Sequence, residues 1–379
     1  MERIYVDHAA TSPVHPDVVD AMIPYLKEHF GNPSSIHHFG RENRHALDSA
    51  RRVMANSIKA KDDEIIFTSG GTEADNMAIT GYALANRSRG NHIITSAIEH
   101  HAVLHTCQAL EKLGFEVTYL PVDSFGCISL DDLKQVVREE TILITIMYGN
   151  NEVGTLQPVE EIGGFLREKG IAFHTDAVQA YGTLDINVQA LPVDLLSVSS
   201  HKINGPKGIG FLYAREGIKL EPHLHGGEQE RKRRAGTENI AAIVGFAKAV
   251  EIALHTMPER QETYQLLCRR MVDILNDEQI EFEINGHQHH RLPHILNISF
   301  HGVNVESFLV NLDLAGIAAS SGSACTAGSL EPSHVLAAMF SQNERIASAV
   351  RFSFGLGNTV DEIEKVAVEV AKIVKRIKQ

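Results

Sequence analysis

Lys202 and Cys325 are the candidate nucleophiles of this sequence, because the residues around each of them favour a reactive side chain. Lys202 follows the apolar run Leu195 to Ser199. A lysine partly withdrawn from water becomes the amine nucleophile of Schiff-base chemistry, although a lysine that snorkels from a strand end is the commoner case. Cys325 lies among small residues in Ser320-Ser-Gly-Ser-Ala-Cys-Thr-Ala-Gly328, which predicts a mobile loop, although most lone cysteines are small buried hydrophobes. Together, the amine and the thiol suit a reaction that takes sulfur from cysteine.

A phosphate site is the second chemical feature that the residues indicate. Gly70 and Gly71 stand between a predicted strand and a predicted helix that begins at Thr72. Glycines let the backbone approach a ligand, and the free N–H groups of a helix start favour a phosphate. Ser199 and His201, on the same turn as Lys202, could hold that phosphate. An ordinary strand-to-helix turn capped by Thr72 is the alternative.

A carboxylate and an imidazole complete the candidate site. Asp176 follows a predicted strand, with Gln179 three residues later. A carboxylate there can keep a heteroaromatic nitrogen protonated, as a pyridoxal ring requires, or it can cap a helix. His100 follows another strand and could stack on a flat cofactor and carry protons. His101 beside it is a rival that spacing does not exclude.

These residues need a parallel sheet to bring them together, because ligands bind at the carboxyl ends of its strands. Short apolar runs alternate with amphipathic stretches from Glu64 to Tyr213, which predicts an α/β fold with seven strands in a mostly parallel sheet. The predicted strands are Glu64 to Thr68, His92 to Thr95, Glu116 to Leu120, Ile142 to Met147, Ala172 to Thr175, Leu195 to Ser199 and Ile209 to Tyr213. The predicted helices are Thr72 to Arg87, Val103 to Leu113, Leu130 to Arg138, Val159 to Glu168 and Thr237 to Leu254.

The length of 379 residues exceeds what one hydrophobic core usually serves, so we expect two domains. Residues 15–256 form the predicted large domain. Residues 1–14 and 257–379 form a smaller α/β domain, in which a new long helix starts after Met257-Pro258. Thr359 and Glu362 predict a capping box at the start of the closing helix.

Composition narrows the class of protein. The net charge of −13 argues against direct nucleic-acid binding, which relies on basic residues that neutralise phosphates. The sequence shows neither a signal peptide nor eighteen successive apolar residues, so we expect a cytoplasmic protein without membrane contact. The four cysteines lack Cys-x-x-Cys spacing, and no metal site is predicted.

Two local clusters have more than one interpretation. The cluster His287-Gln-His-His290 invites a metal hypothesis, but it lacks an ordered set of partners, so it is not counted as a predicted metal site. The basic run Arg231-Lys-Arg-Arg234 is either a solvated loop or a docking surface for an acidic partner.

In this order the motifs resemble those of the cysteine desulfurases, which are pyridoxal-phosphate enzymes of the class V aminotransferase-like family. The resemblance runs almost end to end, and the ordered set is specific although each motif alone is weak. The motifs are Tyr5-Val-Asp-His-Ala-Ala-Thr, Phe30-Gly-Asn-Pro-Ser-Ser, Thr68-Ser-Gly-Gly-Thr-Glu-Ala-Asp-Asn, Asn150-Asn-Glu-Val-Gly, His174-Thr-Asp-Ala-Val-Gln, Ser199-Ser-His-Lys-Ile-Asn-Gly-Pro-Lys-Gly, His225-Gly-Gly-Glu-Gln-Glu-Arg, Arg234-Ala-Gly-Thr-Glu-Asn, Ser320-Ser-Gly-Ser-Ala-Cys and Arg351-Phe-Ser-Phe-Gly.

The resemblance implies fold type I, the aspartate aminotransferase-like fold, and pyridoxal 5'-phosphate as cofactor. It implies that Lys202 holds the cofactor, that Asp176 pairs with its ring nitrogen and that His100 stacks on the ring. The other implied contacts are Gln179 to the ring oxygen, Gly71, Thr72, Ser199 and His201 to the phosphate, Thr237 to the phosphate of the partner subunit in a homodimer, and Asn151 and Arg351 to the substrate carboxylate.

The implied reaction converts L-cysteine to L-alanine and leaves the sulfur as a persulfide on Cys325, which passes it to an acceptor protein. Relatives that supply iron-sulfur scaffolds carry a longer C-terminal tail, so a tRNA thiouridylase is an equally good acceptor by analogy. A selenocysteine lyase or an aminotransferase on the same scaffold is the alternative function. A binding protein without catalysis is a third hypothesis. Ser200 replaces the glycine of many relatives, which we expect to alter the turn slightly.

Overall fold

A computed structural model of the protein describes residues 3–321, 332–341 and 343–378. The strands in these residues are β1 (Ile4–Tyr5), β2 (Ile65–Thr68), β3 (His92–Ser96), β4 (Glu116–Leu120), β5 (Thr141–Thr145), β6 (Ala172–Asp176), β7 (Leu195–Ser199), β8 (Gly210–Ala214), β9 (Phe282–Asn285), β10 (Ile295–Phe300), β11 (Ile317–Ala318) and β12 (Ala349–Ser353). The helices are α1 (Pro16–Lys27), α2 (His38–Ser57), α3 (Gly71–Asn76), α4 (Tyr82–Ala85), α5 (His101–Lys112), α6 (Leu130–Val136), α7 (Val159–Lys169), α8 (Ile240–Asp277), α9 (Val305–Leu314), α10 (His334–Met339), α11 (Asn343–Ala347) and α12 (Val360–Ile377).

The central sheet of the described chain has seven strands, as the sequence predicted. Their order is β2-β8-β7-β6-β5-β3-β4. All strand pairs are parallel except those of β8, which runs antiparallel to β2 and β7. Every residue of β5, β6 and β7 is buried, which explains why β5 and β7 are mostly apolar. The buried strand β6 ends in polar residues because its carboxyl end reaches the candidate site. The carboxyl ends of β2, β3, β5, β6 and β7 therefore meet along one edge.

The long helix α8 differs from the prediction. The sequence predicted a helix that ends at Leu254 and a second helix after Met257-Pro258, whereas the structure has one helix of 38 residues with Pro258 inside it. Proline lacks the N–H group that a helix interior requires, so a break was the simpler expectation. The helix continues because its first part packs on α1 and α2 and its last part packs on α12. Although α8 is long and apolar enough to cross a membrane, much of it is buried inside the protein.

Two of the apolar clusters are large enough to serve as cores. One lies around the central sheet and includes Phe173, Phe211 and Phe246. The other joins the antiparallel sheet β12-β10-β9 to α9, α12 and the last part of α8. Because α8 runs through the predicted boundary near residue 257, the division into domains stays a prediction.

The capping box of α12 is confirmed. The Glu362 N–H donates to Thr359 Oγ1 at 3.3 Å, and the Thr359 N–H donates to Glu362 Oε2 at 2.9 Å. Two of the backbone donors at this helix end are thus satisfied by side chains. The helix start is fixed where the sequence predicted it.

Candidate active site

A cavity of about 400 Å³ lies at the carboxyl ends of the central strands. Ten of the predicted site residues line it, namely Gly71, Thr72, His100, Asn151, Asp176, Gln179, Ser199, His201, Lys202 and Arg351. Thr237 is exposed and does not line the cavity of its own chain, so its contact to a partner subunit stays a prediction. Cys325 lies outside the described residues, and its role also stays a prediction.

Lys202 lies on a 3-10 turn, Ser200–Lys202, that follows β7 directly. Its Nζ donates to the carbonyl oxygens of Ala9 and Ala10 at 2.5 and 2.8 Å. The Nε2 group of Gln179 also donates to the Ala9 oxygen, at 3.0 Å. The loop before α1 thus forms a wall of the cavity and fixes the direction of the lysine side chain.

Asp176 is the last residue of β6 and is buried. Its Oδ1 accepts the Val178 N–H at 2.8 Å. Burial raises the pKa of Asp176 to about 6, although the Val178 hydrogen bond and the charge of Lys202 oppose that rise. A cationic partner in the cavity would therefore stabilise the ionised form of this carboxyl group.

A second buried carboxyl group, Asp75, also lines the cavity and was not predicted. It lies four residues after Gly71 on α3, so the helical repeat places both residues on one face. The four-residue spacing from Gly71 was the sequence signal by which Asp75 could have been recognised as a site residue. Burial, and then the charge of Asp176, raise the pKa of Asp75 well above its ordinary value. The two carboxyl groups have oxygen atoms within 4.8 Å of each other, so a negative charge on one disfavours ionisation of the other.

His100 caps the start of α5 and is distinguished from His101 by its position. The Ala102 N–H donates to His100 Nδ1 at 3.1 Å, which leaves the proton of the neutral ring on Nε2. Burial, and then the charge of Lys202, lower the pKa of His100 to about 4. His100 therefore presents a neutral imidazole to the cavity. His101 points to another group, since its Nε2 lies 3.2 Å from His334 Nδ1.

The glycine turn after β2 has the features of an anion site. Gly70 has φ +149°, a backbone conformation that side chains rarely allow. A Cβ on Gly71 would come within 2.8 Å of Val178 Cγ2, so only glycine fits there without displacement. Ser199 lies beside both glycines, and His201, two residues later, has its Nδ1 3.1 Å from Thr11 Oγ1. Backbone N–H groups, hydroxyls and an imidazole are suitable donors to a phosphate.

Arg351, on β12, is almost fully buried and held in a fixed position. Its Nη2 donates to Asp7 Oδ1 and Ser320 Oγ at 2.8 Å each, and its Nη1 donates to the Asn151 carbonyl at 2.8 Å. Asp7 was not predicted, because nothing near it in the sequence points to a partner 344 positions away. Within the described residues, the buried Nε of Arg351 has no hydrogen-bond partner. The guanidinium therefore keeps donor capacity for a ligand.

Residues 4–366 match the family described as aminotransferase class-V. The chain is 58% identical over 378 residues to the putative cysteine desulfurase IscS 1 of Bacillus subtilis (strain 168), with 100% of both chains covered. The chain belongs to the cysteine desulfurases of this family. A solved NifS-like protein has a TM-score of 0.93 at 36% identity, with 99% of this chain and 100% of that chain covered. SspA in complex with cysteine has a TM-score of 0.81 at 38% identity, with 92% of this chain and 98% of that chain covered.

The family assigns fold type I and pyridoxal phosphate to this enzyme, as the sequence predicted. The cavity fits that cofactor by the chemistry of its lining groups. A buried carboxyl group suits the ring nitrogen, and the glycine turn with its neighbouring hydroxyls suits the phosphate. Lys202 supplies an amine to the same cavity.

The basic run Arg231-Lys-Arg-Arg234 of this enzyme is paired with its own chain. Arg231 lies 3.3 Å from Asp63, and Arg234 makes two hydrogen bonds to Glu73, at 2.8 and 3.1 Å. Glu230 before the run is buried and makes two hydrogen bonds to Arg51, at 2.6 and 2.7 Å. These pairs hold the segment against α2 and α3, and a docking role stays untested.

Proposed function

We propose that this enzyme converts L-cysteine to L-alanine, with Lys202 and His100 as catalytic residues and Cys325 as the sulfur acceptor. The observation that carries the proposal is the meeting of Lys202, Asp176 and Arg351 around one cavity in a chain of the cysteine desulfurase family. An amine, a carboxylate for the ring nitrogen and a guanidinium for a carboxylate suit an amino-acid substrate.

Each residue has a distinct task in the proposed reaction. When bound, pyridoxal phosphate withdraws electrons from the α-carbon of the substrate. Lys202 removes the α-proton, and Asp176 holds the proton on the ring nitrogen. His100 stacks as a neutral ring and presents its Nε2–H. The Cys325 thiolate then attacks the substrate sulfur, the carbon–sulfur bond breaks, and its electron pair takes up a proton as alanine forms.

Gln179, Gly71, Thr72, Ser199, His201 and Asn151 keep the roles that the sequence implied. In a homodimer, Thr237 would reach the phosphate of the partner subunit, and its exposed position before α8 leaves it available for that contact. The sulfur would pass to a protein acceptor, either an iron-sulfur scaffold or a tRNA thiouridylase, in the cytoplasm. In this proposal the persulfide forms on Cys325 before the acceptor takes part, so the chemistry at Cys325 is the same for either acceptor.

The substitution Asp176→Asn tests the cofactor contact. We expect it to weaken pyridoxal phosphate binding by about 10- to 100-fold, because a charge-assisted hydrogen bond worth about 1.5 to 3 kcal/mol is replaced by a neutral one. Titration of the apoenzyme with pyridoxal phosphate, followed by absorbance, measures the change. Asp185→Asn, at an exposed carboxyl group outside the cavity, is the matched control and should bind normally. Equal affinity in both variants would show that Asp176 does not hold the ring nitrogen.

The substitution Arg351→Lys tests substrate recognition. We expect kcat/KM for L-cysteine to fall by about 100-fold, since lysine cannot form the bidentate pair of a guanidinium with a carboxylate. Cysteamine lacks the carboxylate, so its binding, measured by the spectral change of the cofactor, should be the same in variant and wild type. Arg345→Lys is the control, because Arg345 pairs with Glu283 and does not line the cavity. A similar loss for cysteine and cysteamine would assign Arg351 a structural role alone.

A further inference from the structure

Three histidines form a cluster beside the candidate active site, at the starts of two helices. His101 and His105 lie one turn apart on α5, and His334 is the first residue of α10. The ring centroid of His101 is 4.9 Å from that of His105 and 4.7 Å from that of His334. His101 and His334 are half-buried, whereas His105 is exposed. Neither His105 nor His334 has a task in the proposed reaction.

The hydrogen bonds of the cluster define which nitrogen atoms carry protons. His334 Nε2 lies 2.9 Å from the Glu99 carbonyl oxygen, which can only accept, so this nitrogen carries the proton of the ring. His334 Nδ1 therefore has a free electron pair, which accepts from His101 Nε2 at 3.2 Å. An imidazole whose second nitrogen donates to a backbone carbonyl is the arrangement in which histidine binds metals.

We propose that His101, His105 and His334 bind a divalent ion of the zinc class. Two nitrogen atoms bonded to one tetrahedral zinc at about 2.0–2.1 Å lie roughly 3.3 Å apart. The observed separation of 3.2 Å between His101 Nε2 and His334 Nδ1 matches that span. His101 needs only to move its proton to Nδ1. His105 follows at the i+4 spacing of helical zinc ligands. The three rings do not yet bring one nitrogen each within 4.8 Å of the other two, so binding requires the exposed ring of His105 to rotate toward the ion.

The hydrogen bonds of His334 define a neutral ring, because one nitrogen donates to the Glu99 carbonyl and the other accepts from His101. A neutral ring is the form in which histidine ligates zinc. Three protein ligands leave a fourth position for water. An ion at this site would fasten the start of α10 to the start of α5, next to His100.

Two other groups of potential ligands are less suitable. Asp75, His100 and Asp176 approach one another within 4.8 Å, but they belong to the candidate active site. In the segment His287 to His290, His287 Nδ1 already accepts the N–H groups of His289 and His290, at 3.1 and 2.9 Å. The electron pair of His287 Nδ1 is thus used in hydrogen bonds within this loop. It is therefore less available to a metal ion than the nitrogen atoms of His101, His105 and His334.

Titration of the untagged holoenzyme with Co²⁺, after removal of metals with EDTA, tests the proposal. We expect one equivalent of Co²⁺ to bind per chain and to give the visible absorption of a tetrahedral site. His334→Gln and His101→Gln should each weaken binding by at least about tenfold. Zn²⁺ should raise the melting temperature of the wild type and leave that of His334→Gln unchanged.

The double variant His287→Gln/His290→Gln is the matched control and should bind Co²⁺ as the wild type does. Circular dichroism of each variant establishes that the fold is retained. Unchanged affinity in folded His334→Gln, or loss of binding in the double variant, would overturn the proposal. The titration needs neither substrate nor turnover, so its failure would leave the proposed desulfurase function untouched.

Discussion

Replacing Lys202 with alanine should lower the rate of alanine formation from L-cysteine by about a thousandfold or more. The variant loses both the amine that attaches to the cofactor and the base that removes the α-proton, and each task alone accounts for a large factor. We expect the purified variant to lose the yellow colour of the enzyme. The measurements are the rate of alanine formation and the absorption spectrum of the purified protein.

Lys207→Ala is the control for this experiment. Lys207 is exposed, five positions after Lys202, and does not line the cavity. It should keep both colour and activity. A variant of Lys202 that is folded, yellow and active would contradict the assignment of Lys202. Colourless wild-type protein that cannot be reconstituted with pyridoxal phosphate would instead support a binding protein without catalysis.

Replacing Cys325 with alanine should abolish sulfur release from L-cysteine and leave cofactor and substrate binding intact. The substrate sulfur has no nucleophile to accept it in this variant, because the other thiols are disfavoured as thiolates. Burial raises the pKa of Cys107 and of Cys127, and it raises that of Cys268 to about 11. We expect the spectral change on adding L-cysteine to persist, while sulfide and alanine fall to background.

Cys127→Ala is the matched control, since Cys127 is a half-buried free thiol outside the cavity. It should release sulfide at the wild-type rate. The same pair of variants distinguishes the alternative functions. An aminotransferase does not use a thiol, so a wild-type chain that transaminates amino acids equally well with Cys325→Ala would be an aminotransferase.

The sequence predicted the central sheet well because all of its strands except the edge strand β4 are buried on both faces. Burial requires nearly continuous apolar runs, such as Leu195 to Ser199, and these are visible without any structure. Parallel strands then bring their carboxyl ends to one edge, so Asp176 and Ser199 could be placed near each other. Most of the candidate site follows from the apolar sequence of buried strands, the meeting of their carboxyl ends at one edge, and the motifs.

Contacts between distant segments could not be predicted in the same way. The helical spacing of Asp75 from Gly71 was a local signal, but the closeness of Asp75 to Asp176 was not, since Asp176 lies on another element about a hundred positions later. The carbonyl groups of Ala9 and Ala10 have no sequence signal, since their role comes from the packing of the first loop on the turn of Lys202. Pro258 predicted a break that tertiary packing overrides. Local patterns do not encode these contacts.

The position of sulfur after a single turnover shows whether Cys325 is the sulfur acceptor. The holoenzyme is mixed with one equivalent of L-cysteine in the absence of other thiols, then digested and analysed by mass spectrometry. We predict one additional sulfur atom on the peptide of Cys325, with one alanine formed for each persulfide. Alanine formation with the sulfur on Cys107, Cys127 or Cys268, or on no cysteine of the enzyme, would contradict the role of Cys325 as sulfur acceptor.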